Sequence, residues 1–442
     1  MYQLIKVCCV VATWLFFTPL NASVSYRIYS EGNKIICEQV SDQTKVFENS
    51  NATKVLKFAL ENIKKEGGGS IHLVAGEYKL NRSIELGNKT TLTGDGISTK
   101  IQFSNQEPLE GGIYVNQSDG VTISNLSVSL RKGANVDAGI IVDNSGVCKI
   151  TDVYVIGFRK YGIWLRNRSF LSTIDRCTLA GNLLSNIYLD QLNKDGRIGS
   201  FIPNMVTNSM IIGGGKGIEA NNSLVVNIVG CMFHQTNDIA IHLHSISNAI
   251  LISGCHTFQI SDDAIVIEDT DELNISSNVI SWHEGHGLVV KNSAWGTVSS
   301  NKFIDNGSYN TGASHNSSPV EELPDNFELK NGIMLNNVIG YHVGGNSIYN
   351  WGVVPRMKYG IEEDSLSYNN IIKDNCINYF DLEAVRSMGK GTIVKDNISE
   401  GEIPYTRLKR LTDKENRKRF ETSIIQSYQT ELTDEFIEAL KE

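Results

Sequence analysis

A short pattern recurs ten times between residues 111 and 364: a small or polar residue, then Ile-x-apolar-polar. Its copies read GGIYVN, AGIIVD, YGIWLR, SNIYLD, KGIEAN, IAIHLH, DAIVIE, HGLVVK, NGIMLN and YGIEED. The anchor positions are Ile113, Ile140, Ile163, Ile187, Ile218, Ile241, Ile265, Leu288, Ile333 and Ile361, with successive gaps of 27, 23, 24, 31, 23, 24, 23, 45 and 28 residues. A fixed period of this length limits the chain to architectures in which one supersecondary unit stacks on the next. A second apolar run ending in a bend lies between anchors: ISGCHTF, ISSNVI, VSSNKF, VGGNSI, IKDNCI and VKDNIS.

Each unit is too short to hold a helix and carries Gly, Asn and Asp where it turns. Two or three short strands per unit, joined by such bends, describe one coil of a parallel β-helix. Strands of successive coils then pair in register, about 4.8 Å apart. A propeller or sandwich would need hairpins, and two-residue Asn-Gly turns are scarce. In the β-helix register the anchor and the residue two later point inward. Ten residues before the anchors come Cys177, Asn208, Cys231, Cys255 and Asn278, expected as an inward stack of small residues at a bend. Cys231 and Cys255, one coil apart, either bridge or stand as a reduced ladder.

The flanks read differently. Lys6, an apolar run VCCVVATWLFF and a small-residue exit near Ala22 describe an export signal over residues 1–23, the alternative being a membrane anchor. Residues 24–66 form an N-terminal segment in which TKVLKFALENIKKE (53–66) has helical periodicity, suited to capping the open coil. The β-helix domain is expected over 67–400. A charged helical tail follows over 401–442, as a second cap or an oligomer contact. The 442-residue chain is 41% hydrophobic and 20% charged, as globular proteins are, and its net charge of −9 argues against nucleic acid as a partner. The mature protein is thus expected to be secreted or periplasmic and off the membrane.

GGGSIHLVAGEYKL followed by TLTGDGISTKIQF resembles the opening of the pectin-lyase-like right-handed parallel β-helix superfamily, over roughly residues 50–400. The resemblance implies an all-β fold of about ten or more coils. It does not give the reaction, because the fold serves hydrolases, lyases, epimerases, tailspikes and non-catalytic proteins alike. Within it, SDDAIVI followed by EGHGLVVKNS is similar to the polygalacturonase pattern, in which an Asp-Asp pair opens one coil and Gly-His-Gly the next. Asp263 and His286 both precede their anchors by two residues. TNDIAIHL resembles the family's Asn-Thr-Asp element, with Asp238 three residues before its anchor. NGIMLN stands where the family has Arg-Ile-Lys.

The resemblance implies catalytic roles for Asp263, Asp262, Asp238 and His286. Inverting glycoside hydrolysis needs a protonated carboxyl and an ionised one some 6.5–9.5 Å apart, and crowded carboxylates raise one another's pKa. One position after the anchors, an outward column reads Tyr114, Ile141, Trp164, Tyr188, Glu219, His242 and Val266. Trp164, Tyr188 and His242 suit stacking on sugar rings. Three positions after the anchors come Arg166, Asp190, His244, Glu268 and Lys291, with Lys291 a candidate substrate contact. The expectation is an exported polysaccharide-active enzyme, a glycoside hydrolase working without a cofactor. The alternatives are a lyase, using Lys291, Lys330 or His286 as base and the three aspartates around a Ca²⁺, or a non-catalytic glycan-binding β-helix. Two long insertions, 193–204 and 305–330, are expected to wall the site.

Overall fold

The computed structural model describes residues 24–191, 203–245, 247–307, 328–350, 357–378 and 380–399. The expected export signal, the C-terminal tail and most of both insertions lie outside these residues.

The anchors stack as the period requires. One parallel sheet of 12 strands runs from Ile84–Leu86 to Phe380–Ser387. Its register pairs Ile84 with Ile113, each later anchor with the next, and Ile361 with Val385. The stack therefore extends one strand beyond the repeats legible in sequence at each end. Every anchor from Ile113 to Ile361 is 0% exposed.

Apart from the first three strands, the others pair into two parallel stacks of a second sheet, so a coil has three strands. The coil Ile265–Glu268, Thr270–Ser276 and Val279–Ser281 lies on the next, Leu288–Ala294, Thr297–Ser299 and Lys302–Ile304, strand on strand. The two stacks count as one sheet because the long strands Thr122–Leu130 and Lys149–Ile156 each belong to both.

The small residue that opens the motif has a steric cause. A Cβ on Gly112 would come 2.3 Å from the Phe103 ring, and one on Gly217 2.7 Å from Phe233. The residue before the anchor points inside, where these rings fill the corner of the coil. With that residue and the anchor both directed inward, the side chains two before and one after the anchor emerge on the outer face.

At the N-terminus, β1 (Val24–Glu31), β2 (Lys34–Gln39) and β3 (Thr44–Asn49) form an antiparallel sheet. Helix α1 (Ala52–Lys65) follows. The Asn51 side chain accepts the Lys54 N–H at its start, and Lys64 and Lys65 sit in its last turn, where they complement the helix dipole. Its apolar face (Val55, Leu56, Ala59, Ile63) is buried in the core shared with the first coils. β1 then pairs in parallel with β4 (Gly69–Leu73), joining this segment to the coil stack.

The inward bend column differs from expectation at one place. Cys177, Cys231, Cys255 and Asn278 are buried in it, but Asn208 is exposed and Ser209 takes the inward position. In that coil the inward residue stands nine rather than ten positions before its anchor, Ile218. Asn208 is instead the left-handed corner residue, at φ 49°, matching Gly230, Gly254, Ser277 and Ser300 in later coils. Cys231 and Cys255 are free thiols.

From Asn278 the column becomes an amide ladder. The side-chain NH₂ groups of Asn278, Asn301, Asn346 and Asn375 each donate to the Oδ1 of the asparagine one coil on, ending at Asn397, at 2.9–3.0 Å. Each Oδ1 also accepts the backbone N–H of the preceding asparagine. Fully satisfied, these buried amides specify the corner; half-satisfied, they would cost about 1–3 kcal/mol per orphaned group. Asn301→Ala removes both sets of contacts at its tier and is expected to lower unfolding free energy by about 2–4 kcal/mol in denaturant titration.

Candidate functional site

Three side-chain columns share the outer face of the 12-stranded sheet: two residues before, one after and three after the anchors. At its N-terminal end the face opens into a hollow of about 520 Å³ between α1 and the first coil, lined by Lys57, Lys64, Glu85 and Tyr114 among others. From there the face runs through an aromatic tier, an ionic tier and the Asp263–His286 corner.

In the aromatic tier Tyr161 stacks on Tyr188 at 4.7 Å, with Trp164 5.0 Å from Tyr161 and 6.0 Å from Tyr188. The Arg166 guanidinium lies 4.5 Å over the Trp164 ring and pairs with Asp143 and Glu110. The rings are half-buried in one another rather than standing as separate exposed platforms. The expected outward column is also broken: Ile141 is 0% and Val266 5% exposed. Ile141 packs beneath Gly111 beside Tyr114, while Val266 pairs with Val289 in a buried apolar step.

The ionic tier is built on two adjacent strands, Lys216–Asn221 and Ile241–His244, whose register sets Glu219 beside His242. Glu219 accepts Ser185 Oγ–H at 2.6 Å and pairs with Lys216 at 2.8 Å and His244 at 3.3 Å. Burial alone would raise its pKa, yet the bonds from His244, Lys216 and Ser185 hold it down to about 2. His242 Nε2 lies 3.3 Å from Glu268, which also pairs with Lys291 at 2.9 Å. Burial, with Lys216 nearby, lowers the His242 pKa. Sequence reasoning passed over Tyr161, Ser185 and Lys216. They stand two before their anchors, in the column that carries Asp263 and His286, and extending that column would have found them.

Asp263 and His286 are brought together through the backbone. Asp263 Oδ1 accepts the His286 N–H at 2.6 Å, and His286 Nδ1 accepts the Asn331 N–H at 2.8 Å, one coil further. Both side chains thus cap an amide of the next coil. The second bond assigns His286 a neutral ring with its proton on Nε2. Burial, and then Lys330, push its pKa down to about 4. Asp263 moves the other way: burial outweighs the His286 bond and, with Asp262 adjacent, raises it to about 6.

Asp262 is exposed and accepts the Asp263 N–H at 2.8 Å. Asp238 accepts the N–H of Ile239 at 2.8 Å, and no hydrogen bond joins it to Asp263 or His286. Among the described residues, three metal-type donors with ligand atoms all within 4.8 Å of one another occur at Glu219, His242 and His244; the three aspartates form no such group.

A family model described as the right-handed β-helix region matches residues 138–323. No curated protein matches the chain in sequence. Among solved structures, the A-module of the Azotobacter vinelandii mannuronan C-5 epimerase AlgE6 is similar at TM-score 0.62 and 13% identity, over 79% of this chain and 96% of that one. The AlgE4 A-module from the same organism gives 0.53 and 13%, over the same shares of 79% and 96%. The Dettilon tailspike protein gives 0.51 and 11%, over 77% of this chain and 64% of that one. At these identities the likeness is one of fold: the chain is a right-handed parallel β-helix.

Asp263 carries a stability consequence. Its folded-state pKa of about 6 exceeds the ordinary 3.8. The ionised form is therefore disfavoured in the fold, by nothing below about pH 4 and fully above about pH 6. Asp263→Asn keeps the Oδ1 cap on His286 and removes that cost. It is expected to stabilise the protein by about 1–3 kcal/mol at neutral pH, with the gain vanishing near pH 4, in paired denaturant titrations.

Proposed function

We propose that the chain is a polysaccharide-active protein whose substrate lies along the outer face of the 12-stranded sheet, acting as a glycoside hydrolase with Asp263 as proton donor. The observation that carries this is the state of Asp263. One oxygen is tied to the His286 N–H, the other is engaged by no hydrogen bond among the described residues, and the group holds its proton up to about pH 6. A carboxyl held protonated beside charged neighbours is what proton transfer to a leaving oxygen requires. The mannuronan C-5 epimerase modules act, by their name, on a polysaccharide, which supports a carbohydrate substrate for this scaffold without fixing the reaction.

In this reading Asp263 protonates the glycosidic oxygen. Asp238, one coil below and free of bonds to Asp263, activates the water. Asp262 stands exposed beside the donor, and His286 offers Nε2–H to a sugar hydroxyl. The tier of Tyr161, Trp164 and Tyr188 lies three to four coils from Asp263, on the order of 14–19 Å at the strand spacing, so the bound chain would span several sugar units, with His242 between and Lys291 one coil beyond Asp263. The export signal read in the sequence at residues 1–23 supports a substrate outside the cytoplasm.

The test is a panel of neutral and uronate polysaccharides, followed by reducing-end release and by ultraviolet absorbance of unsaturated uronates. Reducing ends without the absorbing product are expected, with kcat falling as pH rises through about 6 and Asp263 ionises. Asp263→Asn is expected to lower kcat by about 10³-fold while binding persists. Trp164→Ala is expected to weaken binding and leave kcat largely intact. Unimpaired turnover by Asp263→Asn would refute the assignment, and the absorbing product would convert the reaction to elimination.

A further inference from the structure

The Glu219, His242 and His244 group takes no part in the proton transfer assigned to Asp263, and its geometry has its own implication. His242 and His244 are two apart on one strand, so both project from the same side, and their ring centroids are 4.5 Å apart. Register sets Glu219 beside His242 on the neighbouring strand. One ligand atom from each residue lies within 4.8 Å of the others, and all three side chains are half-buried.

The supporting contacts fit a ligand set. Glu219 is steadied by the Ser185 hydroxyl at 2.6 Å, and His242 Nε2 lies against Glu268 at 3.3 Å. Metal-bound histidines and carboxylates are oriented by such outer partners. With Nε2 so engaged, His242 Nδ1 is left buried with no hydrogen-bond partner. An unpaired buried nitrogen costs free energy that coordination would recover. The Lys216 ammonium, 2.8 Å from Glu219 Oε1, shows that a positive charge is already stabilised at this carboxylate. A bound ion would displace it, and its flexible stem allows it to swing away.

We infer that Glu219, His242 and His244 form a binding site for a borderline divalent transition-metal ion such as Zn²⁺. Two imidazoles and one carboxylate suit such an ion, whereas Ca²⁺ and Mg²⁺ select all-oxygen sets. Three protein ligands leave a coordination position open toward the outer face. The assignment is independent of the hydrolase reading, because metal uptake is measured without any glycan.

The experiment is calorimetric titration of chelator-stripped full-length protein with Zn²⁺ alone. About one equivalent is expected to bind. The His242→Gln/His244→Gln double variant is expected to lose affinity by about 100-fold or more, and Glu219→Gln, whose amide oxygen can still accept the Ser185 hydroxyl, covers the case in which the double variant fails to fold. Lys216→Met is expected to tighten binding, since the ammonium no longer competes for Glu219 Oε1. Absence of stoichiometric uptake, wild-type affinity in the folded histidine or glutamate variants, or no gain with Lys216→Met would each overturn the site.

Discussion

The structure rests on the register of backbone hydrogen bonds between successive coils. A parallel ladder makes each residue the neighbour of its counterpart one coil away, and a slip by one would turn every inward side chain outward. Register is therefore conserved where coil length is not. Leu288 and Ile333 are 45 residues apart in sequence yet pair directly, as do Ile187 and Ile218 across 31. The described strands on either side of each insertion hold their place in the column. The asparagines from Asn278 to Asn397 fix the same register from inside, because each amide has its partners only at the correct tier.

Stacking also determines the electrostatics of the outer face. Side chains with no relation in sequence meet across one or two coils: Arg166 with Asp143 and Glu110, His244 with Glu219, Lys291 with Glu268. In the column three after the anchors, Asp143, Arg166, Asp190, Glu268 and Lys291 bring both signs together, so a net charge of −9 coexists with cations on this face. Asp263 and His286 show how support and chemistry share one side chain. Each accepts a backbone N–H from the coil above, and that bond fixes which oxygen or nitrogen remains for a ligand. Burial at the corner then moves their pKa values in opposite directions, since it disfavours a carboxylate and an imidazolium alike.

The metal-type donors depend on the same logic. His242 and His244 alternate with inward Ile241 and Leu243, so a strand that builds the core also presents two imidazoles outward. Glu219 reaches them because its own strand is the next rung. No element was added to the fold to make the group; a column position was filled with a ligating residue.

Sequence alone determined the period, the inward anchors and the coil architecture, because an apolar residue stacked every coil leaves a pattern that needs no tertiary knowledge to see. It also placed Asp263 over His286, since both share an offset from their anchors. It did not reveal that Asn208 sits at the corner and Ser209 inside, because one missing residue before Ile218 shifts the count. Nor did it show Ile141 and Val266 buried, or Trp164 packed beneath Arg166: exposure depends on neighbouring coils, not on alternation within a strand. Only the tertiary structure decided which polar columns converge. Column membership follows from counting along the chain, whereas convergence depends on the bend before each anchor, where inward rings such as Phe103 and Phe233 demand a small residue and turn the preceding side chain out onto the face.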